Sequence, residues 1–169
     1  MKEQQAQALG EYLKTSLELD LLDLTHLNSL LQEERKTLES NQFDALDNIN
    51  ENKERLSLSL EKRSSQRNTE LEARQLEGKD SQSWLYIIEL IEKRTGLKLW
   101  SLWRKVESEL KACDKMLKIN EKIVAGMQHS ANQFIYAIKQ ESGAMATGTY
   151  SSKGDATKNV ASNRPLSIA

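Results

Sequence analysis

From Leu99 to Ile138, alternating steps of four and three residues land on Leu99, Trp103, Val106, Leu110, Cys113, Leu117, Asn120, Val124, Met127, Ala131, Phe134 and Ile138, apolar at every position but Asn120. That is the heptad rhythm, which keeps one narrow stripe of a helix turned toward a partner helix along its whole length. The helix it predicts has about 42 residues and a length of roughly 60 Å at ~1.5 Å per residue. A helix of that length is not stable by itself in water; its stripe must be buried against other helices, its own or another protein's. The pattern therefore points to a protein that holds helices, and to binding before catalysis.

Composition narrows the class. In 169 residues there are one proline, Pro165, and seven glycines, and 29% of residues are charged while 5% are aromatic, which suits long helices and argues against a sheet protein. That length fits one domain. The opening MKEQQAQALG has no apolar core of the kind a secretory signal needs, and the charge-free apolar run Trp84–Ile88 is far too short to span a bilayer. The lone cysteine, Cys113, sits inside the stripe, reads as a small core residue and allows no disulfide within the chain. A cytoplasmic protein is the expectation.

The net charge of −1 is unevenly distributed. Residues 1–50 carry four Lys/Arg against ten Asp/Glu, and residues 93–140 carry ten against four. Opposite charge on two long helices favours their packing together and disfavours pairing between copies of either. The near-neutral total, with no aromatics interleaved among the basic positions after Trp103, argues against nucleic acid as a partner.

Along the chain the expected fold class is all-α, an elongated antiparallel bundle or coiled coil of three long helices with one short helix between the second and third. The first helix runs from about 3 to 39, with a seam of Leu13, Leu17, Leu24, Leu27, Leu31 and Leu38 widened by Leu9, Leu19, Leu21, Leu22 and Leu30, broad enough to meet two neighbours. Asn41 is placed to cap a second helix over about 42–77, with Asp44 in its first turn and a seam of Phe43, Leu46, Ile49, Leu56 and Leu60 into which Lys53 intrudes. From Arg63 to Thr69 the apolar seam fails, as in a solvated or frayed end. Trp84–Ile91 is apolar almost all round and predicts a short buried helix over about 83–95, ended or bent at Gly96. The striped helix covers about 97–140. Residues 141–169 are small and polar without periodicity and read as a flexible tail, so that 1–140 forms the bundle.

Few residues suggest chemistry. Asp23 and His26 stand three apart on one helix, as in carboxylate-bridged metal bundles, but those need a second such pair, and the other histidine, His129, has Gly126 at the matching position. No phosphate-binding glycine loop or nucleophile–base pairing stands out, Glu33 and Glu34 read as a solvated helix edge, and a thiol buried in a seam is inert. No catalytic residue, metal or cofactor is expected. Asn120 is different. A polar residue at one seam position fixes register at some cost in stability, or marks where the stripe changes partner from this chain to another. With the fourth helix antiparallel to the second and Leu99 near Leu76, Phe134, Ile135, Tyr136 and Ile138 project past the turn between the first two helices, and an exposed apolar cluster of that kind marks a partner site.

The chain resembles the FlgN-type flagellar export chaperones over most of its length. Glu33, Glu34, Arg35, Leu38, Asp44, Leu46, Ile49, Lys53, Leu56, Leu60 and Arg67 are similar to that family's first hairpin; Trp103 and Asn120 reproduce its tryptophan and asparagine seventeen positions apart; Tyr150-Ser-Ser-Lys-Gly154 matches a Tyr-x-x-x-Gly turn, and Arg164-Pro-Leu-Ser-Ile168 a short basic and apolar terminus. The family commonly has Asn-Gly where this chain has Asn120-Glu121, and often an asparagine where Leu117 stands.

The resemblance implies a cytoplasmic chaperone that covers the C-terminal helical segments of the flagellar hook-associated (hook–filament junction) proteins, prevents their premature assembly or aggregation, and delivers them to the type III export gate, with components of the gate and its ATPase complex as further partners. It implies client contacts at Asn120, Ile123, Val124, Met127, Ala131, Phe134, Ile135 and Ile138. Tyr150, with Gly154, reads as an anchor for docking on the export gate, the alternative being that Tyr150 packs on its own bundle. The alternative is a structural coiled-coil adaptor or oligomerisation module without client turnover; a monomer and a homodimer both fit. Burying an Ile, Val, Met or Phe contributes about 1.5–3 kcal/mol. Val124, Met127, Phe134, Ile135 and Ile138 together then supply ~10 kcal/mol gross, from which ordering a client segment subtracts about 2–5 kcal/mol besides the cost of association. Micromolar affinity is the expectation, in keeping with a carrier that must release.

Overall fold

The structure is a computed structural model that describes residues 3–76 and 81–146. It is all-α: α1 (Glu3–Glu39), a 3-10 turn (Phe43–Ala45), α2 (Leu46–Glu72), α3 (Ser81–Thr95) and α4 (Leu99–Ala146), with no strand among the described residues. The chain divides into two compact units, Met1–Gly126 and Met127–Ala169.

Within the first unit α1 is the shared element. It packs against both α2 and α3, and its leucine seam supplies Leu9, Leu13, Leu17, Leu24 and Leu31 to a core completed by Leu71, Trp84, Ile87, Ile88, Ile91, Leu99, Val106 and Cys113. α1 and α2 run antiparallel, because Asp20 reaches Arg63 and Arg67 while Glu34 reaches Lys53. α4 runs parallel to α1: Cys113 meets Leu24 and Asn120 meets Leu31, each 89 residues apart.

The turns explain the helix limits. Asn41 is not the cap of α2. It closes α1 in the left-handed conformation (φ 56°), with the Gln42 N–H donating to Thr37 O and the Asn41 N–H to Leu38 O, the paired bonds that satisfy a helix's last carbonyls. The same geometry recurs at Gln75 (φ 58°), where Leu76 N–H donates to Leu71 O and Gln75 N–H to Glu72 O, so the second helix stops at Glu72. Asparagine tolerates positive φ better than most residues. After α3, Gly96 takes φ 71°, and the Glu92 carboxylate accepts from the Trp100 N–H at 2.6 Å, capping the start of α4. Gly10 sits under a close approach: a Cβ there would lie 2.8 Å from Leu97 Cδ1 and 3.2 Å from Ile91 Cγ2 and Thr95 Cγ2, so a larger residue would push these side chains aside.

The segment Arg63–Thr69 is a correction to the sequence reading. It is neither frayed nor merely solvated; α2 continues through it, and Arg63 and Arg67 occupy the seam where apolar residues give out. α3 also buries a face and not its whole circumference: Ile87, Ile88 and Ile91 are inside, while Tyr86 is exposed.

Candidate functional site

In the first unit the stripe on α4 divides into two columns. Leu99, Val106, Cys113 and Asn120 are buried. The alternate members Leu110, Leu117 and Val124 are 54%, 40% and 37% exposed, and it is their neighbours toward the first column, Leu102, Glu109, Met116 and Ile123, that are half-buried. The seam in use therefore steps three and then four from Leu99, not four and then three. A helix with an apolar arc wider than one partner can cover leaves one flank outside. Trp103, at the head of the outer column, is half-buried because Trp84 of α3 meets it edge-on with ring centroids 5.5 Å apart.

Asn120 is turned inward. Its Nδ2 donates to Leu31 O and to Glu34 Oε2, each at 2.9 Å, and its Oδ1 is buried without a hydrogen-bond partner. Glu34 accepts at its other oxygen from Lys53 Nζ at 2.6 Å, so one carboxylate joins α1, α2 and α4. Reading Glu34 as a solvated edge missed this; the available signal was Lys53 intruding into the seam of α2. Of the other expected contacts in this unit, Ile123 is half-buried and Val124 exposed.

A second polar cluster lies between α1 and α2. Arg63 Nε donates to Asp20 Oδ1 at 2.7 Å and its Nη2 to Asp23 Oδ2 at 2.5 Å; Arg67 Nη1 donates to Asp20 Oδ2 at 2.5 Å and to Ser16 Oγ at 2.7 Å. Burial works against the Arg63 charge, but the hydrogen bonds and charges of Asp20 and Asp23 outweigh it and hold its pKa above the ordinary value. Asp20 fills the gap between Leu17 and Leu24 in the α1 seam, and Arg63 and Arg67 continue the spacing of Leu56 and Leu60, a complementarity visible in the sequence once the helices are paired. Asp23 is thus engaged with an arginine, while His26 is exposed; among the described residues no group of three or more His, Cys, Asp or Glu could hold a metal. The Cys113 thiol, buried and donating to Leu24 O at 3.4 Å, has its pKa pushed up by burial and then by the nearby charge of Glu109.

The second unit begins with Met127, which is half-buried; every residue from Gln128 to Lys139 is exposed. Phe134 is 68% and Ile135 49% exposed, and Ala131, Tyr136 and Ile138 are exposed as well. The helix here is poor in charge: residues 127–139 contain Lys139 and no acid. Five of the eight expected client contacts, Met127, Ala131, Phe134, Ile135 and Ile138, fall in this unit. Tyr150 and Gly154 lie outside the described residues. No helix among the described residues is long and apolar enough to cross a membrane.

A family model described as FlgN protein matches residues 1–158. No curated protein and no solved structure matches the chain.

Proposed function

This chain belongs to the FlgN family, and on that premise we propose that it is a cytoplasmic export chaperone for flagellar hook-associated proteins, holding their C-terminal helical segments and delivering them to the type III export gate. The family's associated role is flagellar export chaperoning, not catalysis. The observation that carries the finer reading is the exposure of Phe134 and Ile135 on a regular, charge-poor helix. Large apolar side chains held at helical spacing in water are the anchors of helix-in-groove recognition. Met127, Ala131, Phe134, Ile135 and Ile138 form the proposed client surface. Val124, in the first unit, is a proposed contact in its own right, with Ile123 beside it in sequence. Asn120, spent on bonds inside the bundle, serves by position and not by touch. Tyr150 and Gly154 are proposed to dock on the gate, an aromatic being a natural anchor for a short segment.

Calorimetry with the C-terminal segment of a hook-associated protein tests the client surface. Phe134→Asp with Ile138→Asp is expected to weaken binding at least about 100-fold, more than 2.7 kcal/mol, with helicity by circular dichroism unchanged; unaltered affinity removes this surface from the proposal. Tyr150→Ala is expected to lower affinity for the gate with client binding intact, and equal gate binding removes that role.

The exposed column Leu110, Leu117 and Val124 favours the second reading, a coiled-coil module that assembles with copies of itself. Sedimentation separates the two. A chain that binds one client segment one-to-one fits the chaperone; a stable high-order assembly indifferent to clients fits the module.

A further inference from the structure

The grip of α4 on α1 ends at a polar layer. Leu99, Val106 and Cys113 are buried apolar contacts at seven-residue intervals; the next member, Asn120, is buried too but held by hydrogen bonds, and none of Glu121–Gly126 is buried. The layer is imperfect on its own terms, because a buried amide oxygen without a donor loses its hydration and gains nothing in return. What holds it is Glu34, pinned from the other side by Lys53 of α2. Lys53 and Glu34 are both largely covered, with side chains 18% and 14% exposed, so their attraction is screened less than that of a surface pair.

We propose that Glu34 is a latch between α4 and the α1–α2 hairpin, and that within the first unit α4 opens from α1 at this layer while the remainder of the core stays folded. Opening uncovers the α1 seam at Leu31, buried beside Asn120, and loosens Cys113 one heptad below. If the export reading holds, the opened seam is additional apolar surface for a client helix; that consequence rests on the reading, while the latch itself does not. Local opening of this kind draws on elements with few buried apolar contacts, and it is separable from global unfolding by its small exposure of surface.

Cys113 is the only cysteine and a built-in reporter. The full chain is labelled with an aromatic disulfide reagent, without client, across low urea concentrations. Lys53→Met, which deprives Glu34 of its cation, is expected to speed labelling at least tenfold with a urea dependence much shallower than that of global unfolding. Asn120→Ala, which removes the amide through which Glu34 holds α4, is expected to speed labelling as well, with the same shallow urea dependence. Parent-rate labelling in either variant overturns the latch, as does labelling that rises with urea as steeply as unfolding does. Should Lys53→Met lose its helicity, Asn120→Ala decides alone. Client affinity takes no part in the measurement, so failure of the latch and failure of the export reading are told apart.

Discussion

Leu99–Asn120 and Met127–Lys139 lie on the same helix with the same heptad spacing, yet the first segment puts four residues out of water and the second puts none fully out. The first has the leucines of α1 against it: Leu24 and Leu31 meet Cys113 and Asn120. The second shows Phe134 and Ile135 to solvent. Periodicity therefore measures the capacity of a helix to be covered, and only a facing surface turns that capacity into stability. On the proposed function, the difference also separates two uses of apolar side chains, to fold the chain and to recognise another.

The packed region is expected to break hardest at Asp20. Asp20→Ala leaves Arg63 and Arg67 largely buried without their shared carboxylate, and removing one partner of a buried ion pair costs about 3–5 kcal/mol; urea unfolding should show it, and a loss below about 1 kcal/mol would mean that water replaces the carboxylate.

Leu31→Ala sharpens the contrast directly. In the core it should cost about 2–5 kcal/mol, whereas Phe134→Ala in the second unit should stay within about 0.5 kcal/mol. Equal losses would mean that Phe134 is buried in solution and the comparison fails.

The smallest effect expected is that of Cys113 on the pH profile. Its thiol keeps its proton in the folded chain to a higher pH than in the unfolded one, whose thiols ionise near about 8.5. The unfolded state therefore binds fewer protons once that value is passed. The contribution of Cys113 is whole below about pH 8.5 and declines as pH rises further. Cys113→Ala should flatten that alkaline decline in urea titrations, and an unchanged slope would show that the thiol is not buried.

Much of this was legible in the residues. The all-α class followed from leucine spacing and the scarcity of proline and glycine, and the family resemblance lay in Trp103, Asn120 and the first hairpin. The reading failed where a side chain's role depends on a distant partner. Arg63–Thr69 looked like the end of a seam because its own residues are polar; opposite Asp20 they are the seam. Asn41 looked like a helix start because its side chain suits one, but its backbone had a prior use in ending α1. Glu34 looked like a solvated edge because the partners that bury it lie 19 and 86 positions away.

The sequence by itself determined that this chain makes long helices with more apolar surface than one partner can cover, since helix propensity and heptad spacing are local properties repeated along the chain. Only the tertiary structure decided which flank of α4 is spent on α1 and which is left outside, and that Asn120 and Glu34 face inward. Rotation of one helix about its axis changes no local preference; it is settled by what the neighbouring helices bring within 3 Å, and that is not written in either helix alone.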